Sequence, residues 1–212
     1  MSKSIGLMVL LCLYISGCTL TADQHWQKWP AVQVEKPIAI LVVVDADPSV
    51  PDYAAEYFFT TLPALVSNSG YYSLPPSFSY QLLRDFGYKD AGAVLKAQSG
   101  AIRKLTGADA VLHVKVRDWS ARTSIFAVGT VRVAASYQLV STKSGDLLWQ
   151  ADQSHQIDTT VDEGSWVEDM ILTDMETSLV DITQLAFELN KAVLFTLPPG
   201  KYNPDYQHWR KD

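Results

Sequence analysis

PIAILVVVDADPSVPDY, residues 37 to 53, is apolar up to Val44 and then meets three aspartates and two prolines. Its length and its β-branched residues suit a strand buried on both faces, not a helix. Asp52 stands where a cap is expected for a helix over 53–67, in which Ala54, Tyr57, Phe58, Leu62, Leu65 and Val66 share one broad face. Pro63 would kink that helix, and Ser67-Asn68-Ser69-Gly70 would stop it.

Asp45 and Asp47 admit a catalytic reading. An apolar strand ending in Asp-x-Asp is how haloacid-dehalogenase-type phosphotransferases present a nucleophile and a general acid toward magnesium. The same chemistry needs a lysine and a further acidic pair at later strand ends. Lys115 falls inside an expected strand, and Glu168 and Asp169 fall on an expected helix. A metal-dependent phosphohydrolase using Asp45 and Asp47 is therefore kept only as an alternative. A turn, which aspartate and proline favour, is the expectation.

Beyond the first helix, Tyr71-Tyr72-Ser73-Leu74 reads as a short second strand closed by Pro75 and Pro76. Alternation sends one of the two tyrosines to each face, and in a three-layer domain helices would cover both. Phe78 to Phe86 reads as a helix ended by Gly87, and Ala91 to Leu105 as one or two more, interrupted near Gly100. Past Gly107 the period changes to two. Ala110 to Arg117 reads as a strand. Ser124 to Val140 reads as a longer one with a bulge at Gly129, and Asp146 to Gln156 returns antiparallel after the turn at Thr142-Lys143-Ser144-Gly145. Apolar positions from Val167 to Val193 recur at steps of three and four, the pattern of a long amphipathic helix, with Ser165 and Glu168 as a capping box. This order predicts one α/β domain with helices packed on a mixed sheet.

The N-terminus decides the expected compartment. Lys3 precedes the apolar run from Ile5 to Ile15, which has the build of an export signal and is too short to span a bilayer. Ile15-Ser16-Gly17-Cys18 resembles a bacterial lipobox, so Cys18 is the expected acylation site, with residues 1–17 as signal peptide and 18–35 as a tether. Three acyl chains, palmitate among them, would hold the chain on a membrane. Thr19, in place of the aspartate that retains lipoproteins in the inner membrane, points to the outer membrane. Cys12 leaves with the signal, so no thiol remains for a disulfide or a thiolate metal site.

The chain of 212 residues is 48% hydrophobic and 19% charged, a globular balance, so its core must stabilise it unaided. Residues 36–197 are expected to form the domain, and 198–212 an extended tail. The formal net charge of -6 becomes one unit more negative when Lys3 is removed, which disfavours nucleic acid and anionic lipid as partners. The four histidines show no metal-ligand spacing, and there is no nucleophile elbow, P-loop or dinucleotide fingerprint. No enzyme and no cofactor are expected. Tyr202, Tyr206 and Trp209, in a tail rich in proline, are candidate anchors for a partner surface or for the domain itself.

Ile40-Leu-Val-Val-Val44, Gly70-Tyr-Tyr-Ser-Leu-Pro75, Gly107-Ala-Asp-Ala-Val-Leu112 and Ser144-Gly-Asp-Leu-Leu-Trp149 together resemble a family of bacterial lipoproteins of unknown function that includes a meningococcal surface-antigen candidate. The resemblance implies a fold similar to the N-terminal domain of the translocation protein TolB, no catalytic residues, and a partner similar to the curli-secretion-channel lipoprotein. Self-association is a further expectation. The final helix departs from the family in carrying Thr173, Asp174, Glu176, Thr177 and Asp181, where small residues are expected. The functional expectation is an outer-membrane-anchored periplasmic lipoprotein that acts as an interaction component of an envelope assembly or transport complex. The alternative is a module that binds a small ligand or the cell wall.

Overall fold

In a computed structural model, which describes residues 28–98, 100–123, 128–160, 182–204 and 206, the opening apolar run forms β1 (Ala39–Ala46). It is covered from both sides, as its composition requires. Ile40 and Val42 join one core cluster, and Leu41 and Val43 join another. The chain then enters α2 (Asp52–Asn68). The preceding helix, α1 (Pro30–Glu35), lies inside the stretch read as a tether, and its Val32 is buried in the first core.

The sheet has five strands in the order β2-β1-β3-β4-β5, with β2 (Tyr72–Ser73), β3 (Ala110–Thr123), β4 (Val128–Ser141) and β5 (Leu147–Thr160). β1 pairs in parallel with β2 and with β3, while β3, β4 and β5 form an antiparallel meander. The architecture is thus a mixed sheet with helices, as the element order predicts. One face is covered by α2, α1 and a helix over 182–194 (α6), through Phe58, Leu62, Leu185 and Leu189. The other is covered only near β1, by α3 (Pro76–Asp85), α4 (Ala91–Leu95) and α5 (Ala101–Thr106), through Leu83, Val94 and Ile102.

This half-cover corrects the expectation for the tyrosine pair. Tyr71 is buried, but Tyr72, on the edge strand, is 54% exposed. Asp52 is likewise not the cap of α2. Pro51 holds the N-cap position and Asp52 lies in the first turn, where its charge still favours the helix N-terminus. The helix continues through Pro63 to Asn68. The expected bulge at Gly129 is absent, since Gly129 pairs in register with Thr123 and Thr159. Register shifts occur instead between Val116 and Asp118 and between Leu139 and Val140. Of the long final helix, the residues before 182 and the expected capping box lie outside the described residues.

One residue ties the parallel and antiparallel halves together. Asp109 Oδ2 accepts hydrogen bonds from the backbone N–H groups of Ile38 and Ala39, both at 2.9 Å, and Oδ1 pairs with Arg103 at 2.9 Å. Its own N–H donates to the Ala39 carbonyl, and its carbonyl accepts from Thr142 Oγ1. Asp109→Ala leaves two partly buried N–H groups without a partner, so an expected loss of about 2 kcal/mol follows. Urea unfolding checks it; a loss below 0.5 kcal/mol, roughly the low end for one net hydrogen bond, would contradict this role.

Candidate functional site

The charged residues of the sheet gather on its open face. Because β1 and β3 run in parallel register, with Val43 beside His113 and Asp45 beside Lys115, each aspartate of the opening stretch meets a base of β3. His113 Nε2 lies 3.1 Å from Asp45 Oδ1, and Lys115 Nζ lies 2.6 Å from Asp47 Oδ1. The hydrogen bond from Lys115 to Asp47, more than any other influence, raises the pKa of the ammonium. Arg117 pairs with Asp152 at 2.9 Å and Arg132 with Asp118 at 3.4 Å, which extends the pattern across β4 and β5. The lysine that strand reading had set aside is therefore brought to Asp47. It neutralises the carboxylate and does not complete a metal site. Among the described residues no three His, Cys, Asp or Glu side chains converge to hold a metal ion. Exposed pairs of this kind add little stability, because solvent screens them.

A second feature lies at the opposite end of β1, where the chain enters the domain. The start of the tail packs back on the end of α2. Gly200 N–H donates to the Ser69 carbonyl at 2.8 Å, Tyr202 N–H donates to the Gly70 carbonyl at 2.9 Å, and Tyr71 Oη donates to the Pro198 carbonyl at 2.5 Å. Gly70 has φ +88°, and a Cβ there would sit 2.3 Å from the Asn203 nitrogen. A Cβ on Gly200 would sit 2.3 Å from the Gly70 carbonyl oxygen, so neither position has room for a side chain. The two glycines let two backbones touch, and this is the structural role of Gly70-Tyr71. Between this junction and α1 lies a cleft of about 270 Å³, lined by Val32, Ile38, Tyr71 and Pro199 and by the exposed Lys36 and Lys201.

Of the candidate anchors, Tyr202 is 64% exposed, while Tyr206 is half-buried and packs against the first core. Trp209 and Cys18 lie outside the described residues. Residue-level reading missed Asp109, Lys36, Gly200 and Lys201. The available signals were an aspartate two residues past a helix-ending glycine, and the Pro198-Pro199-Gly200 run, which favours a close backbone turn over a free extended tail.

Burial holds the phenols of Tyr71 and Tyr137 well above their ordinary pKa, and for Tyr71 nearby Tyr206 adds to the effect. In the unfolded chain both ionise near pH 10. The folded state therefore keeps protons that the unfolded state releases. Stability is intact below about pH 10 and falls as pH rises beyond it, by about 1.4 kcal/mol per pH unit for each buried phenol. Urea midpoints between pH 9 and 11 are expected to drop, less steeply in Tyr71→Phe. A profile that is flat, or identical in the variant, would contradict this.

Fold and sites together define a small mixed α/β domain whose sheet carboxylates are paired with bases of neighbouring strands and whose tail closes back on its entry point. The chain belongs to the family described as "Putative lipoprotein GNA1162-like", whose model matches residues 28–192. It is 26% identical over 151 residues to the lipoprotein NMB1124/NMB1162 of Neisseria meningitidis serogroup B, covering 71% of this chain and 68% of that one. The crystal structure of lipoprotein GNA1162 from Neisseria meningitidis superposes with a TM-score of 0.52 at 20% identity, covering 70% of this chain and 99% of that one, which supports the shared fold.

Proposed function

We propose that the chain is an outer-membrane-anchored periplasmic lipoprotein, acylated on Cys18 after removal of residues 1–17, whose domain acts without catalysis as an interaction component of an envelope assembly or transport complex. The observation that carries the non-catalytic reading is the pairing of Asp45 with His113 and of Asp47 with Lys115. A nucleophile and a general acid need carboxylates free to meet a substrate and a metal ion; here each is held by a base on the neighbouring strand. Membership of a lipoprotein family and the Ile15-Ser16-Gly17-Cys18 sequence support the anchor, and Thr19 supports the outer membrane. Tyr202, exposed on a tail whose root is docked, is the anchor best placed to meet a partner such as a curli-secretion-channel-like lipoprotein.

Three measurements test the reading. Labelled palmitate should enter the protein and be lost in Cys18→Ser. A photo-crosslinker at position 202 in intact cells should capture a channel-type lipoprotein, identified by mass spectrometry. Magnesium-dependent phosphatase activity abolished by Asp45→Asn would overturn the non-catalytic assignment.

A further inference from the structure

Lys36 stands out on backbone grounds. It ends α1 in the left-handed conformation, with φ 47° and ψ 54°, and is the only residue other than glycine with a positive φ among the described residues. Glycine is the usual occupant of such a helix end, because a Cβ is strained there. A lysine in that conformation puts a long cationic side chain where the helix turns into β1, beside the cleft between α1 and the tail. Lys201 reaches the same cleft from the other wall, on the segment held by the contacts between Gly70 and Gly200.

Neither lysine forms an ion pair with a described residue, whereas Lys115, Arg103, Arg117 and Arg132 all do. The protein is acidic overall, so two cations that line one cleft, neither paired with an acid among the described residues, concentrate positive charge there. The walls beneath them, Val32, Pro37, Ile38, Tyr71, Pro199 and Tyr206, are more apolar than polar, and the Tyr71 hydroxyl is already engaged by Pro198. A volume of about 270 Å³ corresponds to roughly nine water volumes, just below the range of ordinary ligand pockets. That space admits a short apolar stem but not a drug-sized molecule.

We propose that this cleft binds an anion, a phosphate or carboxylate, carried on a short apolar stem, with Lys36 and Lys201 holding the head and the α1–tail walls holding the stem. The backbone strain at Lys36 is kept because it places the cation. The inference goes beyond the interaction role proposed above and does not depend on it.

Hexyl phosphate is a suitable probe, titrated by calorimetry into the lipoprotein reconstituted in phosphatidylcholine nanodiscs, with empty nanodiscs as the blank. Binding is expected at least ten-fold tighter than that of inorganic phosphate or of hexanol alone. Lys36→Gln and Lys201→Gln should each weaken it five-fold or more, and the double variant should abolish it. Lys36→Gly provides a sharper check, because it should raise the melting midpoint by relieving the left-handed strain and yet weaken binding. Equal binding by the double variant, undiminished binding by Lys36→Gly, or no preference for hexyl phosphate over inorganic phosphate would overturn the proposal. Nanodiscs containing phosphatidic acid separate the sources of the anion. Loss of hexyl phosphate binding there identifies a lipid headgroup, and unchanged binding identifies a free small molecule.

Discussion

Gly70→Ala is expected to lower folding stability by about 4 kcal/mol, of which strain at a positive φ and overpacking each supply roughly 1–3 kcal/mol. The added Cβ would meet the backbone nitrogen of Asn203 at 2.3 Å and the carbonyl oxygen of Gly200 at 2.7 Å. Backbone atoms cannot rotate aside as a flexible side chain can. To make room the tail must leave, which would break the bonds from Gly200 to Ser69 and from Tyr202 to Gly70 and unpack Tyr71 from Pro198. The cost should therefore depend on the tail being present. In a chain ended after Leu197 the clash is gone and only the conformational cost, about 1 kcal/mol, remains. Urea unfolding of the four combinations measures the coupling, and equal costs with and without the tail would show that it is not seated on Gly70.

Trp149→Ala is expected to cost about 4 kcal/mol, within the range for large aromatics lost from a core. The indole is fully buried on β5, and its ring meets that of Tyr137 on β4 edge to face, with centroids 6.5 Å apart. This part of the sheet has helices on one side only, so few layers remain to collapse into the cavity. Trp149→Phe should cost far less, about 1–2 kcal/mol for the lost ring area, because the indole N–H has no hydrogen-bond partner among the described residues and no bond to them is lost. If Phe proves as damaging as Ala, that nitrogen is bonded in solution and the packing account fails.

The parts of this architecture that were legible beforehand are those written locally. The valines of β1, the glycine stops at Gly70 and Gly87, the break at Gly100 and the turn at Thr142 to Gly145 appear where backbone preference and apolar period place them. What was missed depends on neighbours far away in the chain. Helix α1 carries too short an apolar pattern to announce itself, and it is stabilised by burying Val32 against the core. Lys115 looked unavailable because a strand interior says nothing of the adjacent strand. Parallel pairing with β1 put Asp47 within 2.6 Å of it. Asp109 carries no local signal of which groups it holds, because its partners, Ile38 and Ala39, lie about seventy residues earlier in the chain, a separation that no local preference encodes.

For this protein the residues by themselves determined the class of the sheet strands and of the helices after β1 that the structure describes, the buried character of β1 and the expectation of a lipid-anchored chain, because period, turn chemistry and a short N-terminal motif act over a few neighbouring positions. Only the tertiary structure decided that Asp45 and Asp47 are held by the bases of β3, that Gly70 and Gly200 let the tail dock, and that Lys36 and Lys201 share one cleft. The first follows from parallel strand register and the others from the tail packing back on the end of α2, contacts between groups that the chain itself keeps tens to more than a hundred residues apart.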